Sequence, residues 1–256
     1  MLYTQRKYLR FLLVAKNQHG VHSPFVYQLI TKCFYKKTPK NLWGNFLNAK
    51  QYLFNENKKV TDFVTGPKNF KRNDRPVPKI MKVSGLSKKK TKILIKTVHY
   101  FKPKNILGIG SSLSFITSAI KTGNENAAIT TLEGCTETSK IKAGVFEGIK
   151  LNGVEIINSN FSKTLSKCAQ KKQFDCIFFS GHRTKQPLLN YFEECLKTIH
   201  NNSFFIFDAI YCSEEMQEAW SIIKKHPKVT VTIDLFYFGI IFFRKEQAKE
   251  HFKIRV

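Results

Sequence analysis

The chain has 256 residues, 42% of them hydrophobic and 23 of them Phe, enough to core one large α/β domain, alone or with an extension. Its formal charge of +25 is lopsided: residues 1–100 carry 22 Lys and Arg against Glu56, Asp62 and Asp74, a net +19, whereas residues 101–256 carry 21 against 15, a net +6. No run approaches the roughly 20 apolar residues of a membrane-spanning helix, and the FLLVA behind the basic N-terminus is too short for a secretory leader, so a cytoplasmic protein is expected. Cys33, Cys135, Cys168, Cys176, Cys195 and Cys212 show neither C-x-x-C nor zinc-like spacing. That pattern suits single buried thiols rather than a disulfide framework.

The charge split marks two parts: residues 1–100, a basic and mostly helical N-terminal extension, and residues 101–256. A basic surface attracts nucleic acid, anionic lipid or an acidic substrate. The lysines here are dispersed, and no arginine-rich or aromatic-interleaved motif accompanies them, so solubility explains the charge better and nucleic acid is not the favoured partner. His19 and His22 in HGVHSP have no third ligand near them in sequence and read as loop and cap residues rather than a metal site. VTGPK (64–68) is too short for a phosphate-binding P-loop.

The second part has a regular rhythm. Apolar β-rich runs at 105–109, 127–133, 154–159, 174–180 and 203–209 alternate with helix-like stretches near 113–122, 136–151, 161–171, 185–199 and 213–225. In the last of these Ser213 caps the start, and Met216, Ala219, Trp220 and Ile223 share one apolar face. Buried strands separated by helices make a doubly wound parallel sheet. KVTVTIDLFYFGIIFFRK (228–245) then holds two strands with no helix between them, a pair that must be antiparallel.

In such sheets the ligand sits beyond the C-terminal strand ends. The first strand ends in Gly108, Gly110, Ser111 and Ser112, a turn that lets backbone approach a ligand and aims the next helix's amides at it. The second ends in Glu133, 23 residues after Gly110, about where an acid meets ribose hydroxyls. An exposed strand-end carboxylate is the plainer reading of Glu133. Strand three leads to Asn160 and Phe161, strand four to Ser180, Gly181 and His182, and strand five to Asp208. His182 is either a general base toward a hydroxyl or part of a solvated helix start with Arg183 and Lys185. Asp208 is the best acid near a reacting group, or a cap for the following turn.

The segments NILGIGSSLSF, ITTLEGC, FDCIFFSGHRTKQPLLNYFEE, FFIFDAIYCSEEMQEAW and KVTVTIDLFYFGIIFFRKEQAKEHF, with HGVHSPFVYQLI near the N-terminus, resemble the class I S-adenosylmethionine (SAM)-dependent methyltransferases. More narrowly they resemble bacterial proteins related to the O-methyltransferases. The resemblance implies an α/β fold: a Rossmann-like, doubly wound seven-stranded sheet with a terminal antiparallel hairpin, plus an N-terminal helical extension over the cofactor mouth. It implies SAM as cofactor, bound by Gly108, Gly110, Ser111, Ser112, Ser114, Glu133, Gly134, Asn160, Phe161, Ser180 and Gly181.

Three positions depart from the family. Gly108 stands where an acid holds the methionine end of SAM, and a lost charge-assisted bond costs on the order of 1.5–3 kcal/mol. Ser180 and Ala209 stand where metal-dependent relatives carry ligands, leaving Asp208 alone, so no metal is expected. The expected function is metal-independent methyl transfer to a hydroxyl or amine of a small acceptor, anionic acceptors included, with His182 or Asp208 as base. The alternative is a catalytically silent protein of this fold that binds RNA or another polyanion through its basic surface.

Overall fold

All five apolar runs of the second part are strands in the computed structural model, which describes residues 2–55, 59–65, 70–76, 87–110, 115–134, 136–158, 161–181 and 184–256. They are β3 (Asn105–Ile109), β4 (Ala128–Glu133), β5 (Val154–Asn158), β6 (Cys176–Phe179) and β7 (Phe204–Asp208). The antiparallel pair is β8 (Val231–Asp234) and β9 (Phe238–Phe242). The helices between them, Phe115–Gly123, Thr136–Gly148, Phe161–Lys171, Lys185–Cys195 and Glu214–Lys225, lie where the periodicity puts them. Eight strands form the main sheet. The expected seven is corrected by β10, Glu250–Lys253, which pairs parallel with β8. A separate antiparallel hairpin, β1 (Lys59–Thr65) with β2 (Phe70–Pro76), interrupts the helices of the first hundred residues.

Contacts divide the chain into two units. In the unit Lys37–Thr164, β3, β4 and β5 run parallel in that order. Ile106, Leu107, Ile109, Ile129 and Leu132 are buried. Helix Lys88–Phe101 is capped by Ser87, whose hydroxyl accepts the Lys90 N–H at 3.3 Å. It buries Ile93, Leu94, Ile95 and Val98. Lys121 is buried too; its ammonium donates to the Glu125 and Ala127 carbonyls at 2.6 and 2.8 Å, and burial pushes its pKa down.

The second unit joins Met1–Lys36 to Leu165–Val256, with strand order β10-β8-β9-β7-β6. Its core is phenylalanine-rich. Phe207 stacks on Phe179 with ring centroids 4.5 Å apart and planes within 9°, and Phe192 and Trp220 close round it at 6.2 and 5.9 Å. A methyl group on Gly239 would come within 2.7 Å of the Trp220 ring, so only glycine lets helix Glu214–Lys225 lie this close to β9. That helix begins as expected, with the Ser213 hydroxyl accepting the Met216 N–H at 3.2 Å. It carries Glu214 and Glu215 in its first turn and Lys224 and Lys225 in its last, charges placed to match the helix dipole.

The N-terminal segment of this unit is stapled to the C-terminal strand. Lys16 N–H donates to the Lys253 carbonyl at 2.8 Å, Arg255 N–H returns to the Lys16 carbonyl at 3.0 Å, and the Tyr35 hydroxyl reaches the Arg255 carbonyl at 3.1 Å. Within HGVHSP, Asn17 accepts the His19 N–H at 3.1 Å, and Ser23 caps helix Pro24–Leu29. Both histidines are exposed.

Candidate functional site

Two groups of strand-end residues are the candidates, one in each unit. In the Lys37–Thr164 unit β3 and β4 are parallel neighbours with Ile109 opposite Leu132. Gly110 and Glu133 therefore follow one another at adjacent strand ends. Gly110 turns there with φ +66, left-handed backbone that glycine adopts at no steric cost, and its N–H meets the Leu132 carbonyl at 3.3 Å. A Cβ on Gly108 would find nothing nearer than Thr131 Oγ1 at 3.7 Å, ordinary contact.

Glu133 is not the exposed carboxylate of the plainer reading. It is 4% exposed. Its Oε1 accepts the Thr131 hydroxyl at 2.8 Å and also the ammonium of Lys142, an ion pair. Lys142 is wholly enclosed, and burial pushes its pKa down while the carboxylate of Glu133 draws it back up. Sequence reading missed Thr131 and Lys142. The signal for Lys142 was its phase: Ser139, Lys142 and Phe146 recur at helical spacing on helix Thr136–Gly148, and all three are buried. A lysine on the inward stripe of a helix needs an acid partner.

Of the other sequence-predicted residues on this side, Gly134 is exposed directly after β4. Ser111, Ser112, Ser114 and Asn160 lie outside the described residues, and Phe161 opens helix Phe161–Lys171.

In the second unit, Ser180 is buried at the end of β6 and Gly181 follows with φ +78; His182 lies outside the described residues. Asp208 is half-buried at the end of β7, paired with Phe238. Ala209 then adopts φ +55, with its N–H on the Tyr237 carbonyl at 3.3 Å and its carbonyl accepting the Cys212 N–H at 3.0 Å. Left-handed backbone at a residue with a Cβ costs about 1–2 kcal/mol, part of which glycine gives back through its freer unfolded chain. Ala209→Gly is therefore expected to stabilise the protein by about 0.5–1 kcal/mol, read as a higher urea midpoint at unchanged m-value.

The β8–β9 turn is built round a buried polar pair. The Tyr211 hydroxyl donates to Asp234 Oδ2 at 2.5 Å, and Phe236 N–H donates to Asp234 Oδ1 at 2.8 Å. Burial raises the pKa of Asp234, partly offset by these two donors and by Lys253 and Lys224. Phe236, at φ +65, stacks on Tyr211 at 4.8 Å and meets Tyr8 and Phe11 of helix Leu2–Val14. A cavity of about 510 Å³ opens here, lined by Thr4, Gln5, Tyr8, Leu9, Phe236 and Tyr237. Among the described residues no three His, Cys, Asp or Glu side chains gather into a metal-binding group, and no helix is long and apolar enough to cross a membrane.

No protein-family model and no curated protein matches the chain. Solved structures do. A Podospora anserina methyltransferase with bound S-adenosylhomocysteine (SAH) superposes with a TM-score of 0.59 at 15% identity, over 88% of this chain and 98% of that one. The Bacillus cereus O-methyltransferase, also in complex with SAH, gives 0.54 at 20% identity over 64% and 89%. A Geobacter sulfurreducens methyltransferase gives 0.52 at 10% identity over 65% and 85%.

The fold is that of the class I methyltransferases. Within that fold β3, which leads to Gly110, and β4, which ends in Glu133, are adjacent parallel strands. The pair β8–β9 is the terminal antiparallel hairpin.

Proposed function

We propose that the chain is a SAM-dependent methyltransferase that transfers a methyl group, without a metal, to a hydroxyl or amine of a small acceptor. The observation that carries this reading is the left-handed Gly110 turn beside Glu133 at the ends of adjacent parallel strands, within a methyltransferase fold. Gly110 and Gly134 offer backbone to the cofactor and Glu133 accepts ribose hydroxyls, with Ser111, Ser112, Ser114, Asn160 and Phe161 as its further contacts. SAM, when bound, supplies a methyl group already activated on a sulfonium, so the protein's work is alignment and removal of the acceptor's proton. His182 or Asp208 takes that proton. The cavity beside the β8–β9 turn has aromatic, hydroxyl and amide lining and no charged side chain, which suits an uncharged, planar portion of an acceptor. Residues 1–100 form the basic extension to a catalytic part spanning 101–256.

Titration calorimetry with SAH tests the reading first. Saturable binding is expected in the micromolar-to-millimolar range, weakened by the acid missing at Gly108, and unaffected by EDTA. A folded protein giving no heat at millimolar SAH, but binding RNA with log affinity falling linearly in log salt, overturns the enzyme in favour of a polyanion-binding protein.

A further inference from the structure

We propose that helix Leu2–Val14 seats the protein on an anionic lipid surface, its outward leucines entering the boundary between headgroups and acyl chains while flanking cations meet the lipid phosphates. The helix is held by its inner face. Tyr8 and Phe11 pack on Phe236 with ring centroids 4.7 and 5.5 Å away, and Phe11 is buried. Just past its end, the pairing of Lys16 with Lys253 and Arg255 fixes the backbone. The opposite face is left uncovered. Leu9 is 63% exposed and Leu13 86%, and at i and i+4 they share one side of the helix. Arg6 and Arg10, each three residues before one of these leucines, line that side and are exposed, as is Lys16 beyond the helix end.

Single surface leucines are ordinary, so the charge around this pair is what chooses its partner. Residues 1–36 carry Arg6, Lys7, Arg10, Lys16, Lys32 and Lys36 and no Asp or Glu. A second copy of the chain would bring the patch onto itself through a twofold axis, setting arginine against arginine. Nucleic acid matches the charge but leaves the leucines unserved, because bases bind by stacking on aromatic rings. A lipid surface with anionic headgroups satisfies both. The leucines gain burial, and each cation near the surface strengthens binding about fivefold. Helices that lie in the plane of a membrane combine an apolar stripe with Lys and Arg in this way. Because its inner face is already packed, this helix need not fold on arrival, which removes an ordering cost from attachment.

The experiment sediments the full chain at physiological salt with vesicles of phosphatidylcholine alone and of an equal mixture of phosphatidylcholine and phosphatidylglycerol. The parent is compared with Leu9→Gln/Leu13→Gln, which keeps every charge and a good helix former at both positions, and with Arg6→Gln/Arg10→Gln. Urea midpoints verify that each is folded. The parent is expected to bind the mixed vesicles and far less of the neutral ones. The leucine variant should bind the mixed vesicles at least about tenfold more weakly, and the arginine variant roughly 25-fold more weakly. If the leucine variant binds as the parent does, net charge alone adsorbs the protein and the proposal is overturned. A parent that binds neither vesicle overturns it too. So does self-association in the ultracentrifuge that the leucine variant abolishes while neither protein binds vesicles, since the occupant is then a second copy. If the double leucine variant fails to fold, Leu13→Gln alone decides by the same comparison. SAH binding plays no part in these outcomes, so the methyltransferase reading stands or falls separately.

Discussion

Glu133→Gln is expected to lower stability by about 3–5 kcal/mol at neutral pH, the cost of removing one partner of a buried ion pair. In a chain of this size each kcal/mol moves the melting temperature by about 2–4 °C, so the drop is on the order of 10 °C. The deficit should shrink as the pH rises. Burial holds the folded-state pKa of Lys142 below its ordinary value, and Glu133 is what draws it back up; with Gln in place the folded pKa falls further. Between that lowered pKa and the unfolded one the unfolded chain binds more protons, so stability climbs with pH through that window. Urea denaturation of both proteins at pH 7, 8 and 9 measures the effect. A deficit that stays constant over this range would show that Lys142 is not the group left exposed to the loss.

The second large effect is expected at the centre of the phenylalanine core. Phe207→Ala should cost about 3–5 kcal/mol, through lost transfer energy and the cavity left behind. Phe207 is 1% exposed and lies between β6 and β9, opposite Phe179 on one side and Gly239 on the other. Its ring stacks face to face on Phe179 and is edged by Phe192 and Trp220. These are rigid neighbours that cannot collapse into the hole. Phe207→Leu, which keeps most of the volume, should cost less than about 1.5 kcal/mol. Equal urea midpoints for the two variants would mean that the core relaxes freely. Because Asp208 is the next residue, the same substitution also loosens the end of β7 on which the proposed base stands.

The sheet was legible wherever strands are buried on both faces, because a continuous apolar run between turns has few other readings: β6 and β9 are buried at every position. The strand β10 was not, since Glu250–Lys253 alternates between half-buried and exposed positions and is only four residues long. The hairpin β1–β2 was hidden within the basic extension read as mostly helical, because FKRNDRP carries no apolar alternation. At the site, the Gly110 turn and the strand-end Glu133 could be found from spacing alone, since both are set locally by β3 and β4. The partner of Glu133 is nine residues away on the next helix, and only its position on the buried stripe pointed to it. The Tyr211–Asp234 bond and the packing of Tyr8 and Phe11 on Phe236 join residues far apart in the chain, and no local pattern encodes them.

The backbone staple between Lys16 and Lys253–Arg255 has a bearing on how the protein is made. Synthesis runs at about 5–20 residues per second, so the 237 residues from Asn17 to Lys253 take roughly 10–50 s to emerge. For most of that interval Phe11, buried in the finished molecule, lacks the Tyr211 and Phe236 rings it packs against. The unit Lys37–Thr164, continuous in sequence, has emerged long before that. The first 36 residues complete their backbone pairing only once the last strand has been added.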